Sequence, residues 1–342
     1  MKKVGILFFA VLFLLAAYIT YNYASKIYLE GVEMSENQKY FYIKKGTSLS
    51  QLSADLYREG ILKDTASFLW VAAQKKFDTP KAGRFLIKDK MSNNKLINIL
   101  RSGMQEPLQL TLNSVRTLPK LAGKVGQMLY LDSAKLIEAL SDSERAAKFG
   151  FDRFKFATMI IPNTYEFYWD TDVDEFLKRM AAEYKRFWTE ERRQKAKQLD
   201  LSQSEVSILA SIVQAEQQMH REERPKVAGL YLNRLEKGIR LQSDPTLIFA
   251  LNDYSIKRVL NQHKKVNSPY NTYKYAGLPP GPINIPEISS IDAVLNADEH
   301  NYLYMCAKAD FSGYHNFAST LKQHNRYAAQ YRRELNRRRI MR

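Results

Sequence analysis

The residue best placed to do chemistry is Glu216, at the end of the run Ile208-Leu-Ala-Ser-Ile-Val-Gln-Ala-Glu216. An apolar helical stripe continues along this run until a carboxylate takes its next position. Glu216 follows Leu209 by seven residues, Ile212 by four and Val213 by three, which places all four on one face of an α-helix. A carboxylate on an inward face either finds a cationic partner or stays partly protonated, because desolvation disfavours its charged form. The first outcome is a structural ion pair that fixes helix packing, and the second is a general acid. The helix alone is compatible with both.

The elements around Glu216 are delimited by local chemistry. Gln217 to Arg224 is a polar turn, and a second helix is expected over about 225–237. Pro225 suits the first helical turn, Glu222 and Glu223 place negative charge at the helix start, and Gly238 suits the C-terminal cap. Its apolar positions Val227, Ala228, Leu230, Tyr231 and Leu235 pack on the first helix and leave Glu216 near a cleft mouth. Arg240-Leu-Gln-Ser-Asp-Pro-Thr246 reads as a turn opening a short helix, followed by Tyr270-Asn-Thr-Tyr273 and Gly277-Leu-Pro-Pro-Gly-Pro-Ile283.

Taken in this order, S-I-V-x-x-E, E-R-P-K-V-A-G-x-Y-L-N-R-L, G-x-R-L-Q-S-D-P-T, Y-N-T-Y and G-L-P-P-G-P-I resemble the endolytic murein transglycosylases of the MltG (YceG-like) family. Several separate motifs in fixed order are far more specific than one short pattern. The resemblance carries the family's catalytic glutamate onto Glu216. Where the family commonly has Glu-Lys-Glu followed by Thr, this chain reads Gln214-Ala-Glu-Gln217, so Glu216 is the one carboxylate of that motif. Met159-Ile-Ile-Pro-Asn-Thr-Tyr-Glu-Phe167 is similar to the family's Phe-Pro-Asp-Thr-Tyr motif, with Asn163 in place of Asp. His315 and His324 match its Gly-x-His and His-Asn positions, although a single histidine is more often structural than catalytic.

The activity so implied is cleavage of the bond between MurNAc and GlcNAc within nascent glycan strands, leaving 1,6-anhydroMurNAc ends and terminating strand elongation. One acid–base group suffices, because the nucleophile is the C6 hydroxyl of the substrate. Glycosidases that use water or a covalent intermediate normally need two carboxylates. Gln242, Asp244, Asn271 and Tyr273 are candidates for holding the glycan, since amide, carboxylate and aromatic groups suit sugar hydroxyls and ring faces. Asp244 in Ser-Asp-Pro also reads as a residue capping its own turn. No metal or organic cofactor is called for.

Composition agrees with this reading. The chain has 342 residues, 45% of them hydrophobic, enough for one or two folded units beyond an anchor. Its 52 Lys and Arg against 36 Asp and Glu give a net charge of +16, suited to nucleic acid, an anionic membrane surface or an anionic envelope polymer. No zinc spacing or other nucleic-acid motif accompanies that charge, and the basic run Arg332 to Arg342 reads as a solvated tail or helix end, so nucleic acid is not an expected partner. The single cysteine, Cys306, excludes an internal disulfide and reads as a buried small hydrophobe.

Val4 to Tyr23 is a 20-residue stretch free of formal charge, long enough to cross a bilayer. Lys2 and Lys3 before it orient residues 1–3 to the cytoplasm, with the rest of the chain on the periplasmic or outer side of the inner (plasma) membrane as a single-pass protein. The apolar stretch exceeds a usual signal-peptide core and lacks a small-x-small cleavage site. Residues 24–38 read as a polar tether, 39–103 as a small module, and 104–342 as a larger catalytic domain, together an α+β architecture. In the module, strand Tyr40–Ile43, a Gly-Thr turn, a helix capped by Ser48 or Ser50, a helix near 64–77, strand 82–87 and a helix from Ser92 towards Gly103 resemble a LysM-like glycan-binding unit. A long polar-faced helix is expected around 172–197, then strand 302–308 and a final helix capped by Ser319 or Thr320.

Two other classes fit parts of the chain. Ser319-Thr-Leu-Lys322 and Ser92-Asn-Asn-Lys95 match the S-x-x-K of penicillin-binding acyl-transfer enzymes, but the companion S-D-N and K-T-G elements are missing. The alternative function is a catalytically inactive, membrane-tethered peptidoglycan-binding or scaffolding protein. The family resemblance suggests peptidoglycan synthases as protein partners.

Overall fold

A computed structural model of the chain describes residues 2–338 except Lys257, with side chains from Gly5 onward. Met1, at the expected cytoplasmic tip, and residues 339–342, the end of the basic run, lie outside the described residues. The chain divides into two compact units: Met1–Leu110 with Gln127–Leu131 and Glu166–Asp172, and Thr111–Gly126 with Asp132–Tyr165 and Val173–Arg342. The break therefore comes later than the expected 103/104, and two later segments return to the first unit.

The first unit contains α1 (Lys2–Tyr28), β1 (Gln38–Ile43), α2 (Leu49–Arg58), α3 (Thr65–Gln74), β2 (Gly83–Lys88) and α4 (Asn93–Ser102). β1 and β2 pair antiparallel, with Phe41 opposite Phe85 and Tyr42 opposite Arg84. Two-residue alternation turns Phe41, Ile43, Phe85 and Ile87 into a core with Leu52, Leu56, Phe68 and Leu96, and leaves Tyr40 and Tyr42 outside. Ser48, Asp64 and Ser92 cap the three helices by accepting backbone N–H bonds from Gln51, Ala66 with Ser67, and Lys95. Ser92, one of the two S-x-x-K serines, is thus a helix cap.

Helix α1 has 27 residues, and at 1.5 Å per residue it is about 40 Å long, more than a bilayer core. Ile6, Phe9 and Phe13 are each at least 70% exposed. The segment expected as a tether over 24–38 is instead docked. α1 continues to Tyr28, Tyr23 meets the Trp70 ring edge-on at 4.8 Å, and Asn93 Nδ2 donates to Lys26 O at 3.2 Å. Val32 then enters the core completely. Gly31 permits this approach, since a Cβ there would lie 2.3 Å from Asn93 Oδ1.

The remaining elements are β3 (Leu108–Thr111), α5 (Leu118–Met128), α6 (Ser133–Ser141), α7 (Ser143–Lys148), β4 (Thr164–Phe167), α8 (Val173–Phe187), α9 (Glu190–Gln198), α10 (Gln203–Glu216), α11 (Arg224–Glu236), α12 (Asp244–Leu251), α13 (Ile288–Leu295), β5 (Tyr304–Ala307), β6 (His315–Ala318) and α14 (Leu321–Arg337). β3 is sheet partner to β4 and β5 to β6, so among the described residues the strands form three two-stranded sheets within a mixed α+β chain. The single helix expected over 172–197 is two. Thr189 leaves helical geometry at ψ 166° and accepts a bond from Arg192 N, while Trp188 before it is buried.

Helix α10 is the axis of the second unit. Ser202 and Glu205 form a reciprocal capping box at its start, and every residue from Val206 to Val213 is buried. It packs against α11, α12 and α13. A helix covered on all sides has few places for a charge, and its two carboxylates, Glu205 and Glu216, stand at its two ends where the covering stops.

Candidate active site

Glu216 is the last residue of α10, because Gln217 turns the chain out of the helix and its Oε1 accepts the Met219 and His220 amides at 3.2 and 3.0 Å. The residue as a whole is half-buried, while protein encloses its carboxyl group. Both hydrogen bonds it accepts fall on Oε1: Ser243 Oγ at 2.5 Å and Tyr231 OH at 2.8 Å. Neither partner is charged, and among the described residues no Lys, Arg or His forms an ion pair with it. Of the two outcomes open to an inward carboxylate, the structural ion pair is therefore not seen among the described residues. Burial raises its proton affinity above the ordinary value, the Asp244 charge adds to that, and the Ser243 and Tyr231 hydroxyls and His315 oppose it. The phenol of Tyr231 is held well above its own usual range by burial and by Glu216, so it remains a donor.

Ser243 is held by the loop around Thr272. Gln242 N donates to Thr272 O at 3.0 Å and Ser243 N to Thr272 Oγ1 at 3.0 Å, while Gln242 takes a left-handed φ of 53°. Gln242 and Asp244 are exposed, and Tyr273 OH donates to Asp244 Oδ1 at 2.6 Å. Asp244 therefore binds a neighbouring tyrosine, and Ser243, at the cap position of α12, makes no side-chain cap bond. Asn271 is different. It is fully buried, its Nδ2 donates to the Lys264 and Val266 carbonyls and its Oδ1 accepts from Tyr273 N. With donors and acceptor engaged internally, Asn271 shapes the 264–273 loop, and the structure does not bring it to the cleft as a sugar contact.

A second polar cluster braces the turn after Glu216. His315 Nδ1 lies 2.8 Å from Glu223 Oε2, and His315 N donates to Glu223 Oε1 at 2.9 Å. Gln217 Nε2 joins them by donating to Glu223 and to Gly313 O. Burial pushes the Glu223 carboxyl up, but the bonds from His315 and Gln217 outweigh it and hold the group below the ordinary value. Arg224, 2% exposed, ties this turn to α13 by donating to Gln217 O, Glu287 Oε2 and Ser290 Oγ. Gln214 uses both ends of its amide, donating to Ser114 Oγ and accepting from Glu287 N and Ser290 Oγ. His324 lies apart on α14, beside the Tyr304 ring, with burial lowering its basicity. Ser319 Oγ donates to Asn301 Oδ1, so the second S-x-x-K serine is also structurally engaged.

A cleft of about 700 Å³ begins beside the end of α10, lined by Gln214, Ala215 and Gln218, by Arg224 and Glu287, and by Pro245 next to Asp244. Glu216 lies between these lining residues in sequence, one position after Ala215 and two before Gln218. Two members of the site escape a reading by residue type. Tyr231 sits on the apolar stripe of α11 and looks like core, and Ser243 is overshadowed by Asp244. The available signal was that both fall inside quoted motifs, with Tyr231 on the helix face turned to α10.

Residues 41–330 match the YceG-like family. The endolytic murein transglycosylase of Bacillus subtilis is 28% identical over 323 residues, covering 90% of this chain and 88% of that protein. That of Streptococcus pneumoniae (strain D39) is 25% identical and covers 96% of this chain, which spans 64% of its length, under two thirds. A crystallised yceG-like protein from Listeria monocytogenes superposes with a TM-score of 0.55 at 25% identity, covering 85% of this chain and 99% of that one. With the family match running from β1 into the last helix, the chain belongs to the YceG-like family.

Proposed function

We propose that this protein is a membrane-anchored endolytic lytic transglycosylase acting on peptidoglycan, with Glu216 as its acid–base catalyst. The observation that carries the reading is the Glu216 carboxyl group, enclosed by protein and bonded to two neutral hydroxyls, with its chain neighbours Ala215 and Gln218 lining a cleft. Such a group retains a proton to a higher pH than an exposed glutamate.

Glu216 delivers that proton to the glycosidic oxygen between MurNAc and GlcNAc, the bond from MurNAc C1 breaks, and positive charge develops at C1. The carboxylate so formed takes the proton of the MurNAc C6 hydroxyl as O6 bonds to C1 and closes the 1,6-anhydro ring. No water is consumed and the enzyme returns to its starting state. Ser243 and Tyr231 bind Oε1, leaving Oε2 for the proton, and their bonds strengthen when the carboxylate is charged. Gln242, Asp244 and Tyr273 are the proposed glycan contacts, a role supported by the exposure of Gln242 and Asp244 beside Ser243 and by the bond from Tyr273 to Asp244. Names of relatives favour an enzyme over an inactive scaffold.

Helix α1 supports a single-pass anchor through Val4–Tyr23 with the folded units on the periplasmic or outer side, where peptidoglycan synthases would be neighbours. The β1-α2-α3-β2 order of the first unit supports a LysM-like role in holding glycan. The central test measures 1,6-anhydro-ended fragments released from peptidoglycan by the full chain and by Glu216→Gln, with melting temperatures on the same preparations. Loss of product at unchanged melting temperature supports the assignment, and a destabilised but active variant overturns it.

A further inference from the structure

The 700 Å³ cleft does not end near α12. A second cavity of about 400 Å³ shares Val115, Arg116, Phe249, Tyr254 and Asn284 with it, so the two are parts of one groove within the second unit. The groove is basic. Its lining includes four cations, Arg116, Lys120, Arg153 and Arg224, and one carboxylate, Glu287, which pairs with Arg224. Arg116 and Lys120 form no ion pair among the described residues, and the Arg116 guanidinium lies over the Tyr254 ring at 4.9 Å. Where the two cavities meet, Asn284 presents a buried acceptor that receives no hydrogen bond. Its Nδ2 donates to Ser211 O at 2.8 Å, which sets the orientation of the amide, and its Oδ1 has no partner. A buried acceptor without a donor costs about 1–3 kcal/mol, so a ligand N–H there would recover stability.

We infer that this extension of the cleft binds the carboxylate-bearing peptide attached to the glycan, making the protein selective for peptide-substituted over bare glycan strands. The inference rests on the transglycosylase reading and adds a substrate class to it. Unpaired cations suit peptide carboxylates, the Asn284 Oδ1 acceptor suits a peptide N–H, and the faces of Phe249 and Tyr254 suit aliphatic side chains. A bare glycan offers hydroxyls, acetamides and one lactyl carboxylate close to each MurNAc ring, whereas the peptide adds backbone N–H groups and carboxylates that reach away from the sugar towards Arg116, Lys120 and Asn284.

The test uses the full chain carrying Glu216→Gln, so that binding is read without cleavage, and two soluble probes. One is a glycan oligomer with its peptides, and the other is the same oligomer stripped by an amidase. Peptide-bearing oligomer is expected to bind about tenfold tighter, the scale of one charge-assisted contact. In the double variant Arg116→Ala, Lys120→Ala the preference should fall towards one, and Asn284→Leu, which replaces the acceptor at similar size, should reduce it in part. Raised salt should weaken the preference as well. Equal affinity for the two probes, or a preference untouched by the double variant, overturns the inference. With Glu216 intact, failure to cleave either oligomer alongside a retained binding preference would count against the activity and not against this site.

Discussion

Glu216 and Glu223 are seven residues apart, both have their carboxyl groups largely enclosed, and their proton affinities move in opposite directions. Around Glu216 the donors are two neutral hydroxyls on one oxygen, and burial prevails. Around Glu223 the donors are an imidazole, an amide side chain and a backbone N–H spread over both oxygens, and together they overcome burial. The comparison teaches that burial alone does not make an acid. What decides is whether the surrounding donors stabilise the charged form enough to offset desolvation. By that criterion Glu216 has the proton affinity that the proposed acid–base role requires, and Glu223 holds the turn as a charged group.

The largest separation should come from replacing each carboxyl by an amide. Glu216→Gln is expected to lower release of anhydro-ended fragments by about 10²–10⁴-fold, the usual contribution of a general acid–base group, with little change in melting temperature. Glu223→Gln should do the reverse, costing about 2–3 kcal/mol by leaving its partners badly matched while the folded fraction still cleaves. Denaturant titration beside product analysis checks both, and a catalytic collapse in Glu223→Gln without destabilisation would break the division of roles.

Ser243→Ala and Tyr231→Phe sharpen the electrostatic side. Each removes a bond that favours the charged form of Glu216, so its proton affinity should rise further. The limb of the pH–rate profile that reports the acid should move to higher pH in either variant, and a shift to lower pH would show that the hydroxyls act otherwise.

The smallest effects lie in stability against pH, and they have opposite signs. Glu216 binds its proton more tightly folded than unfolded, so its contribution is fully present below 4.5 and is lost as pH rises through the raised folded value. Glu216→Gln should therefore gain melting temperature relative to the parent as pH rises. Glu223 has a depressed folded value, so its contribution is present above 4.5 and lost as pH falls through that value. The deficit of Glu223→Gln should be widest near neutrality and narrow in acid. Parallel pH trends for the two variants would remove the contrast.

Much of the local architecture was legible because it depends on neighbours in sequence. Ser92 and Gly103 bound α4 as expected, Pro225 and Gly238 bracket α11, and alternation in Tyr40–Ile43 marks a strand with Phe41 and Ile43 inside and its two tyrosines outside. Local signals misled where a distant contact intervened. Thr189 interrupts what reads as one polar-faced helix, next to the buried Trp188, and residues 24–38 read as a polar tether although Asn93 bonds Lys26 O and Gly31 and Val32 are buried. Asn271 has the chemistry of a sugar ligand and the position of a loop brace, a distinction that depends on carbonyls five and seven residues away.

The sequence by itself determined that Glu216 ends an apolar stripe and must face inward, because helical periodicity is a local property of the chain. It also determined the family, since ordered motifs survive where individual residues drift. The three-dimensional structure alone decided which groups surround that carboxylate and in which direction its proton affinity moves. Tyr231 lies fifteen residues on and Ser243 twenty-seven, with no periodicity linking them to Glu216. Their meeting, and the absence of a cation among them, follows from how α10, α11 and the loop braced by Thr272 pack together. Proton affinity depends on that packing because desolvation and hydrogen bonding act through space.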